Sequence, residues 1–360
     1  MSCCNYEMCG RRLFTGTSTM PSLPNMSTID TKLVVVGVAA TAAVGIATYA
    51  FSLYRRMQNK IAGLKSVKIE GPPALTLYQA PGTRIYCRGA QILMQDAIDN
   101  LEVYPEDVWV ITYPKCGTTW TQEIVWLVCN NADTETANAV ELDTRFPFFE
   151  YPFINRRPTI RKMPSPRLIK THLALPVLPY QIVEKKPKII YTMRNPKDTC
   201  VSMYHFIKML TPFNYKGNFE EFAKEFFMGV TVGHGSFWDH HRDYWRLKDE
   251  MNILILKYED LITDLAKEVK KIAAFLDKEL TEEQVQTIVE HCTFKTMKNN
   301  SASNQSHMQN IGFTRAGMGD FMRKGKIGDW KNYFTPELNN MVDQLNKKYL
   351  EPEGLTFDYE

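Results

Sequence analysis

Short apolar runs alternate with longer amphipathic stretches over most of the chain after residue 100. Four runs of apolar residues, at 108–113, 168–171, 189–193 and 253–256, lack the alternation expected of a half-exposed strand. Continuous apolar runs of this length are typical of strands that are buried on both faces of a parallel sheet. They therefore predict four buried strands.

The stretches between and after these runs carry apolar residues at helical spacing. They predict helices at 117–129, 198–210, 219–227, 266–275, 282–291 and 336–349. Strands that alternate with helices favour an α/β fold with a parallel sheet. In such folds ligands bind at the carboxyl ends of the strands, so the turns at those ends are the first places to look for function.

The N-terminal part has a different pattern. Residues 33–54 carry no charge and are long enough to cross a bilayer as a helix. Five Lys or Arg residues follow this run by residue 68, against three before it, an excess that predicts a cytoplasmic location for the rest of the chain. The alternatives are a buried helix or a cleaved signal peptide, the latter disfavoured by the long preceding segment and the arginines after the run.

These patterns predict four regions. They are a disordered N-terminal segment at 1–32, a transmembrane helix at 33–54, a basic linker at 55–69 and a catalytic domain at 70–357. The expected arrangement is a cytoplasmic domain associated with a membrane through its N-terminal helix.

Charge and cysteine content argue against a nucleic-acid-binding protein and against a cysteine-based metal or redox site. The 43 Lys and Arg residues exceed the 40 Asp and Glu residues by only three, whereas a nucleic-acid binder carries a marked basic stripe. No two cysteines from Cys87 onward have metal-site or redox-motif spacing, so we expect separate reduced thiols. Cys3, Cys4 and Cys9 are candidates for acylation near a membrane.

The first predicted strand leads into a turn, residues 114–120, with the chemistry of an anion-binding site. Backbone N–H groups at Gly117, Thr118 and Thr119 would face an anion at the start of the next helix. Lys115 adds a full positive charge. Because this lysine precedes the glycine, the order differs from that of a Walker P-loop, which argues against a standard ATPase or kinase. The alternative is a turn that only caps its helix.

Two later segments add cationic and hydroxyl groups. Arg194 ends the third predicted strand and Ser202 lies two turns along the next helix, so both could hold a second phosphate. The alternative for this segment is a salt-bridged helix start at the surface. Arg323 and Lys324 lie beside two glycines in a third segment, 321–331, which indicates a flexible basic loop able to close on a phosphate.

Together, and in this order, the segments YPKCGTTW, RNPKDTCVS and RKGKIGDWKNYFT resemble the cytosolic sulfotransferase family. The resemblance implies a doubly wound parallel α/β sheet with a P-loop-like phosphate-binding turn in a single catalytic domain. It also implies transfer of a sulfuryl group from 3′-phosphoadenosine-5′-phosphosulfate, without a required metal, to a hydroxyl or amine of a small acceptor. The nucleotide-binding residues implied are Lys115, Cys116, Gly117, Thr118, Thr119, Trp120, Arg194, Ser202, Tyr258, Thr293, Phe294, Met297, Phe321, Met322, Arg323, Lys324 and Gly325.

The family's catalytic element corresponds to Lys170 and His172, with His172 as the general base. A neutral imidazole can take the proton of an attacking hydroxyl, and Lys115 and Lys170 can stabilise the negative charge that develops. For His172 alone the alternative is an ordinary loop histidine. The implied acceptor pocket is lined by Lys170 and His172 together with Phe148 and Phe206, and its apolar walls suit phenols, sterols or aryl amines.

The sequence departs from the family pattern at three places. At one of them Cys292 replaces a hydroxyl residue that the family commonly has before the position of Thr293. Cys116 stands where the family usually has Ser, which makes its thiol a candidate for redox sensitivity. The family's dimer motif, Lys-xxx-Thr-Val-xxx-Glu, is kept at Lys331 and Thr335. Pro336 and Asn340 replace its Val and Glu, so this segment does not predict a homodimer.

Two other functions are compatible with parts of the pattern. One is a catalytically silent nucleotide-binding or scaffold protein. Such a protein would be expected to lose at least one of the residues implied for binding and catalysis, among them Lys115, Lys170, His172, Ser202 and Arg323. The other is a lumenal carbohydrate sulfotransferase. That function would require the opposite charge asymmetry around the apolar run, and sugar on Asn299 or Asn304 would support it.

Overall fold

The computed structural model describes the greater part of the chain after residue 100. The described residues are 101–150, 160–229, 234–315 and 317–360, the backbone of three strands between residues 66 and 88, and isolated residues before 101. Two compact units are distinguished, Met1–Arg55 and Arg56–Glu360. The strands of both sheets, and the helices that follow them, belong to the second unit.

Most of the predicted N-terminal organisation lies outside the described residues. In the first unit only Thr48, Phe51, Ser52 and Arg55 are described, which leaves out segment 1–32 and nearly all of the predicted transmembrane helix at 33–54. Within the part of the chain that the structure does describe, no helix is both long and apolar enough to cross a bilayer.

A small antiparallel sheet precedes residue 101. Its strands, in the order β1-β2-β3, are β1 (Ser66–Ile69), β2 (Leu75–Gln79) and β3 (Tyr86–Arg88). The sequence pattern predicts no strand in this region, and β1 covers the last residues of the predicted linker at 55–69.

The central sheet has four parallel strands in the order β5-β4-β6-β7. They are β4 (Val108–Thr112), β5 (Leu168–Thr171), β6 (Lys188–Met193) and β7 (Ile253–Lys257). The register places Ile111 of β4 between Thr171 of β5 and Tyr191 of β6. The four predicted strands and the parallel sheet are thereby confirmed, with ends within one residue of the prediction.

Helices follow the strands of the central sheet. Those that the structure describes are α1 (Thr118–Cys129), α2 (Thr134–Ala139), α3 (Leu142–Arg145), α4 (Gln181–Lys185), α5 (Pro196–Met209), α6 (Phe219–Phe227), α7 (Phe237–Arg246), α8 (Tyr258–Thr263), α9 (Leu265–Phe275), α10 (Glu282–His291), α11 (Phe294–Asn299), α12 (His307–Asn310) and α13 (Pro336–Tyr349). Short 3₁₀ turns lie at Ile160–Lys162, Leu175–Val177, Asp329–Asn332 and Glu351–Glu353. All six predicted helices are present.

One predicted helix differs at its start for a local reason. Helix α5 begins at Pro196, two residues before the predicted 198. The side chain of Asn195 caps it by accepting a hydrogen bond from the N–H of Asp198, and proline at the first helical position needs no N–H partner.

Alternate residues of each strand pack into two different cores. Trp109 and Ile111 of β4 belong to one buried cluster, whereas Val108 and Val110 belong to the other. Since side chains along a strand point alternately to opposite faces, the two clusters lie on the two faces of the sheet. The arrangement is a doubly wound α/β domain, as the sequence predicts.

The outer side of edge strand β5 is partly covered by the segment around Phe148. The N–H of Phe149 donates to the carbonyl of Lys170 at 2.8 Å, and the N–H of Lys170 donates to the carbonyl of Pro147 at 3.0 Å. These bonds hold Phe148 beside the carboxyl end of β5, where His172 begins the following loop.

Candidate active site

The turn after β4 is closely packed against Tyr258. Gly117 has a φ of 100° and serves as the N-cap of α1. A Cβ atom at this position would lie 2.8 Å from the Tyr258 ring, so both the backbone conformation and the space require glycine. Lys115 also has a positive φ, 72°, an uncommon conformation for a non-glycine residue that is often found at functional sites.

Lys115 is half-buried, and its ammonium group lies among aromatic rings and other cations. Its Nζ lies 3.8 Å from the centre of the Phe321 ring and 4.3 Å from that of Phe206. Burial, and then the charges of Arg194 and other nearby cations, lower the pKa of Lys115 to about 7. A bound anion would favour the charged form of this lysine.

Arg194 projects from the end of β6 into the same region. Its guanidinium lies over the Tyr258 ring at 4.2 Å and donates to the carbonyls of Lys115 and Lys326, both at 3.3 Å. Its buried Nε has no hydrogen-bond partner among the described residues. A buried donor without an acceptor is costly, which indicates a place for an anionic ligand.

The basic loop is held in position by two aspartates. Asp198 of α5 accepts hydrogen bonds from the N–H groups of Gly328 at 2.8 Å and Trp330 at 3.0 Å. Asp329, between them, contacts Arg323 Nη2 and Lys324 Nζ, each at 2.5 Å. Although burial opposes ionisation, hydrogen bonds from Lys324, Arg323 and Asn332 lower the pKa of Asp329 to about 2.

Two further contacts shape the wall beside this loop. A Cβ atom on Gly325 would lie 2.2 Å from the ring of Phe294, at a φ of 62°. The indole N–H of Trp120 donates to the carbonyl of Cys292 at 2.9 Å, and the Trp120 ring meets Tyr258 edge-on at 5.5 Å.

These elements surround one large cavity of about 700 Å³. Almost all the residues that the sequence predicts for the site line this cavity. The three motifs and the catalytic element therefore lie in one place. They are Lys115, Gly117, Thr118, Thr119, Trp120, Phe148, Lys170, His172, Arg194, Ser202, Phe206, Tyr258, Thr293, Phe294, Met297, Phe321, Met322, Arg323, Lys324 and Gly325.

Cys116 is the predicted residue that does not line the cavity. Its side chain is fully buried, with Sγ 3.7 Å from the hydroxyl of Thr199. Burial raises the pKa of the Cys116 thiol to about 12. Because thiolates are the reactive form, the hypothesis that this thiol is redox-sensitive is not supported.

His172 follows the end of β5 and is fixed by its ring and its backbone. Nδ1 lies 2.9 Å from the carbonyl oxygen of Thr112, and the backbone N–H donates to Glu150 Oε1 at 2.5 Å. Burial, then the charge of Lys170, keeps the pKa of His172 well below 6.5. Nδ1 also lies 3.2 Å from the Thr112 hydroxyl, but that hydroxyl has a nearer partner in Thr118 Oγ1 at 2.6 Å. The carbonyl is the nearer group to Nδ1 and only accepts, so the neutral ring donates from Nδ1 and Nε2 is left as an unprotonated acceptor.

Lys170 lies on the same strand end. Its Nζ is 4.3 Å from the centre of the Phe148 ring, and the Phe148 ring meets His172 edge-on at 5.1 Å. Burial lowers the pKa of Lys170, opposed by the carboxyl groups of Asp143 and Glu150. Burial likewise raises the pKa of Glu150 to about 7.

The cavity also contains polar side chains that the sequence patterns do not indicate. Asp143 and His307 line it, with His307 Nε2 3.5 Å from Asp143 Oδ2. His234 lines it as well, with its ring centre 5.8 Å from that of His172. Their neighbours in the sequence do not indicate a place in this site, and they come together only in the folded chain.

Comparison with known proteins agrees with this geometry. The family model described as "Sulfotransferase domain" matches residues 105–353. The chain is 39% identical over 266 residues to sulfotransferase 1B1 of Mus musculus, covering 73% of this chain and 88% of the relative. It is 38% identical over 280 residues to luciferin sulfotransferase of Photinus pyralis, covering 71% of this chain and 74% of the relative.

A solved structure gives the same result for the fold. Retinol dehydratase in complex with androsterone and the inactive cofactor PAP superposes with a TM-score of 0.70 at 27% identity, covering 86% of this chain and 96% of that one. The chain therefore belongs to the cytosolic sulfotransferase family and is a sulfotransferase.

Proposed function

We propose that the protein transfers a sulfuryl group from 3′-phosphoadenosine-5′-phosphosulfate to a hydroxyl or amine of a small apolar acceptor, with His172 as general base. The observation that carries this proposal is the hydrogen bond from His172 Nδ1 to the Thr112 carbonyl, 2.9 Å long. It leaves the unprotonated Nε2 of a neutral imidazole available in a cavity that also contains Lys115 and Lys170.

The cavity fits an anionic nucleotide. Arg194 Nε is a buried donor without an acceptor among the described residues, and the cationic side chains of Lys115, Arg323 and Lys324 line the same cavity. The similar retinol dehydratase structure contains PAP. The turn residues 117–119 and Lys115 would hold the 5′ end, whereas Arg194, Ser202, Arg323 and Lys324 would hold the 3′-phosphate.

When bound, this donor supplies the sulfuryl group for in-line transfer. The protein's own contribution begins with His172 Nε2, which accepts the proton of the attacking hydroxyl or amine. Since the Thr112 carbonyl holds Nδ1–H, the ring can accept this proton only at Nε2. Because the base is already oriented in the folded protein, less entropy is lost on reaching the transition state, and this contributes to the rate enhancement.

Lys115 and Lys170 stabilise the negative charge that develops on the transferring group and on the bridging oxygen. Both ammonium groups lie against aromatic rings, in surroundings where a charge interaction is stronger than in water. The charge of Lys170 also disfavours protonation of His172 and lowers its pKa. The base is consequently neutral at physiological pH.

The acceptor would occupy the part of the cavity lined by Phe148, Phe206 and other apolar side chains. An apolar slot of this kind suits phenols, sterols or aryl amines. Two similar proteins support such acceptors, one a luciferin sulfotransferase and the other a retinol dehydratase in complex with androsterone.

The test uses the full chain with sulfur-labelled donor and a panel of phenols, sterols and amines. Transfer that disappears in His172→Ala, with PAP affinity retained, is expected. His205→Ala is the matched control, since His205 is bonded to Tyr333 and does not line the cavity. Full transfer by His172→Ala would refute the role of the base.

The same experiment separates the other functions. Tight PAP binding by the wild type without transfer to any acceptor would favour a silent nucleotide-binding protein. No PAP binding by a folded sample would refute the proposal entirely.

A further inference from the structure

The backbone of His172 lies just beyond the hydrogen-bonded part of the sheet. Strand β5 is an edge strand and ends at Thr171, which pairs with Ile111. Backbone groups beyond a strand end need partners from elsewhere when they are buried. Side chains supply both: Glu150 accepts from the His172 N–H at 2.5 Å, and His240 Nε2 lies 3.2 Å from the His172 carbonyl oxygen.

The tautomer of His240 follows from this contact. A carbonyl oxygen only accepts, so His240 must carry its proton on Nε2 to bind His172. In a neutral imidazole Nδ1 is then an acceptor, and the hydroxyl of Tyr191 lies 2.6 Å from it. The Tyr191 hydroxyl also lies 3.2 Å from the His240 carbonyl oxygen, but Nδ1 is the nearer acceptor. With Nε2 protonated, Tyr191 donates to Nδ1 and favours the form of His240 that can hold His172.

The surroundings of His240 and Tyr191 stabilise these protonation states. Tyr191 is fully buried on the central strand β6, and its ring stacks on His240 at 5.7 Å and on Tyr244 at 4.3 Å. Burial lowers the pKa of His240 to about 4 and raises the pKa of Tyr191 well above 10. At neutral pH the imidazole is thus uncharged and the phenol protonated.

We propose that Tyr191 and His240 are positioning residues that act through the backbone of His172 and fix the direction of its base nitrogen. The proposal rests on the proposed role of His172 as the base. Neither residue lines the cavity, so neither contacts the acceptor or the nucleotide there. Their effect is on orientation, and a small displacement of a catalytic group lowers the rate of the chemical step more than it weakens substrate binding.

Tyr191→Phe is the most direct test, because it keeps the stacked ring and removes only the donor. We expect kcat to fall about 3- to 10-fold, the effect of one hydrogen bond. The KM for the acceptor and the affinity for PAP should stay at their wild-type values. Loss of general stability would instead change PAP affinity together with kcat.

Tyr113→Phe provides a matched control. Its hydroxyl is also buried but has no hydrogen-bond partner among the described residues, and its ring meets His240 edge-on at 5.5 Å. This variant removes a hydroxyl beside the same histidine without removing a bond, and it should keep the wild-type kcat.

Variants of His240 supply a rescue experiment. His240→Gln retains a side-chain N–H donor that can reach the His172 carbonyl, whereas His240→Leu has none. The glutamine variant should keep more of the wild-type kcat than the leucine variant. If the leucine variant does not fold, the comparison of Tyr191→Phe with Tyr113→Phe still decides the question.

Two outcomes would overturn the proposal: equal kcat values for Tyr191→Phe and Tyr113→Phe, or a parallel loss of kcat and PAP affinity in Tyr191→Phe. His172→Ala, measured alongside, separates this failure from that of the proposed function. If His172→Ala loses transfer but Tyr191→Phe does not, only the positioning role is wrong. If His172→Ala keeps transfer, the assignment of the base is wrong.

Discussion

The carbonyl oxygen of Thr112 accepts a hydrogen bond from Nδ1 of His172 across 2.9 Å, joining the ends of two neighbouring parallel strands. A backbone carbonyl cannot be protonated or rotated away as a side chain can. The tautomer of His172 is consequently fixed by the sheet itself.

The pH dependence of the reaction should reflect this environment. Since burial and Lys170 lower the pKa of His172, the base stays neutral at pH 6.5 and becomes protonated only in more acidic solution. We expect kcat/KM for the acceptor, measured with saturating donor, to keep its value down to pH 6.5 and to fall below it. An acid limb centred above pH 6.5 would contradict the assignment.

Lys115 should make nucleotide binding sensitive to pH on the alkaline side. With the pKa of Lys115 at about 7 in the free protein, raising the pH from 7 to 9 removes a positive charge that an anion needs. PAP affinity, measured by calorimetry, should therefore decrease over that range. In Lys115→Arg the arginine keeps its charge over this range, so the PAP affinity of the variant should depend less on pH, whatever its absolute value. If its PAP affinity falls as steeply with pH as that of the wild type, another group causes the effect.

Gly325 should be sensitive to substitution for a steric reason. In Gly325→Ala the new methyl group would collide with Phe294, displacing the loop that carries Arg323. We expect PAP affinity to fall at least tenfold, about 1.4 kcal/mol. Gly354→Ala is the control. Gly354 has a similar φ of 68°, but no atom of the described residues lies within 4 Å of the added Cβ. The variant should lose about 1–2 kcal/mol of stability and no PAP affinity.

Asp329 should affect nucleotide affinity through the cations that it orients. Arg323→Ala should cost about 1.5–3 kcal/mol of PAP binding free energy, the value of a hydrogen bond to a charged group. Asp329→Asn should weaken PAP binding as well, although it adds net positive charge. Tighter binding by Asp329→Asn would mean that the aspartate competes with the nucleotide for these cations.

Lys331→Ala is the control for this pair of variants. It removes a cation from the same segment, but Lys331 is paired with Glu360 and does not line the cavity. Its PAP affinity should match that of the wild type.

Asp143 should influence which acceptors are used. A carboxylate that lines a largely apolar cavity favours a ligand with a donor group over one without. Between 4-ethylphenol and tyramine, which differ by one ammonium group, Asp143→Asn should lower kcat/KM for tyramine more, by roughly tenfold. Equal losses for the two acceptors would show that Asp143 does not contact the ammonium group.

Sequence patterns predicted the central sheet and most of the residues that line the cavity, for physical reasons. The strands are short and mostly apolar, so their burial is evident without knowledge of the fold. Gly117 and Gly325 occupy positions where a side chain would collide with Tyr258 or Phe294. Such requirements leave a local signature that can be recognised.

The partners of His172 could not be predicted in the same way. Thr112, Glu150 and His240 are distant from His172 in the chain, and each contributes through a hydrogen bond that only the tertiary fold creates. Asp143 and His307 likewise meet across a long stretch of sequence. An isolated histidine or aspartate has many possible roles, and its neighbours in the sequence do not distinguish them.

The segment around Phe148 has to satisfy two conditions at once. The Phe148 side chain forms part of the wall of the cavity. The flanking backbone forms hydrogen bonds with the outer side of edge strand β5. Side-chain replacements at Phe148 can therefore alter acceptor preference and leave the backbone bonds intact. An insertion or deletion there would also uncover strand groups that can pair with another molecule. Acceptor specificity can accordingly diversify by substitution at Phe148. The length of the segment around it is constrained, because an insertion or deletion there would promote aggregation.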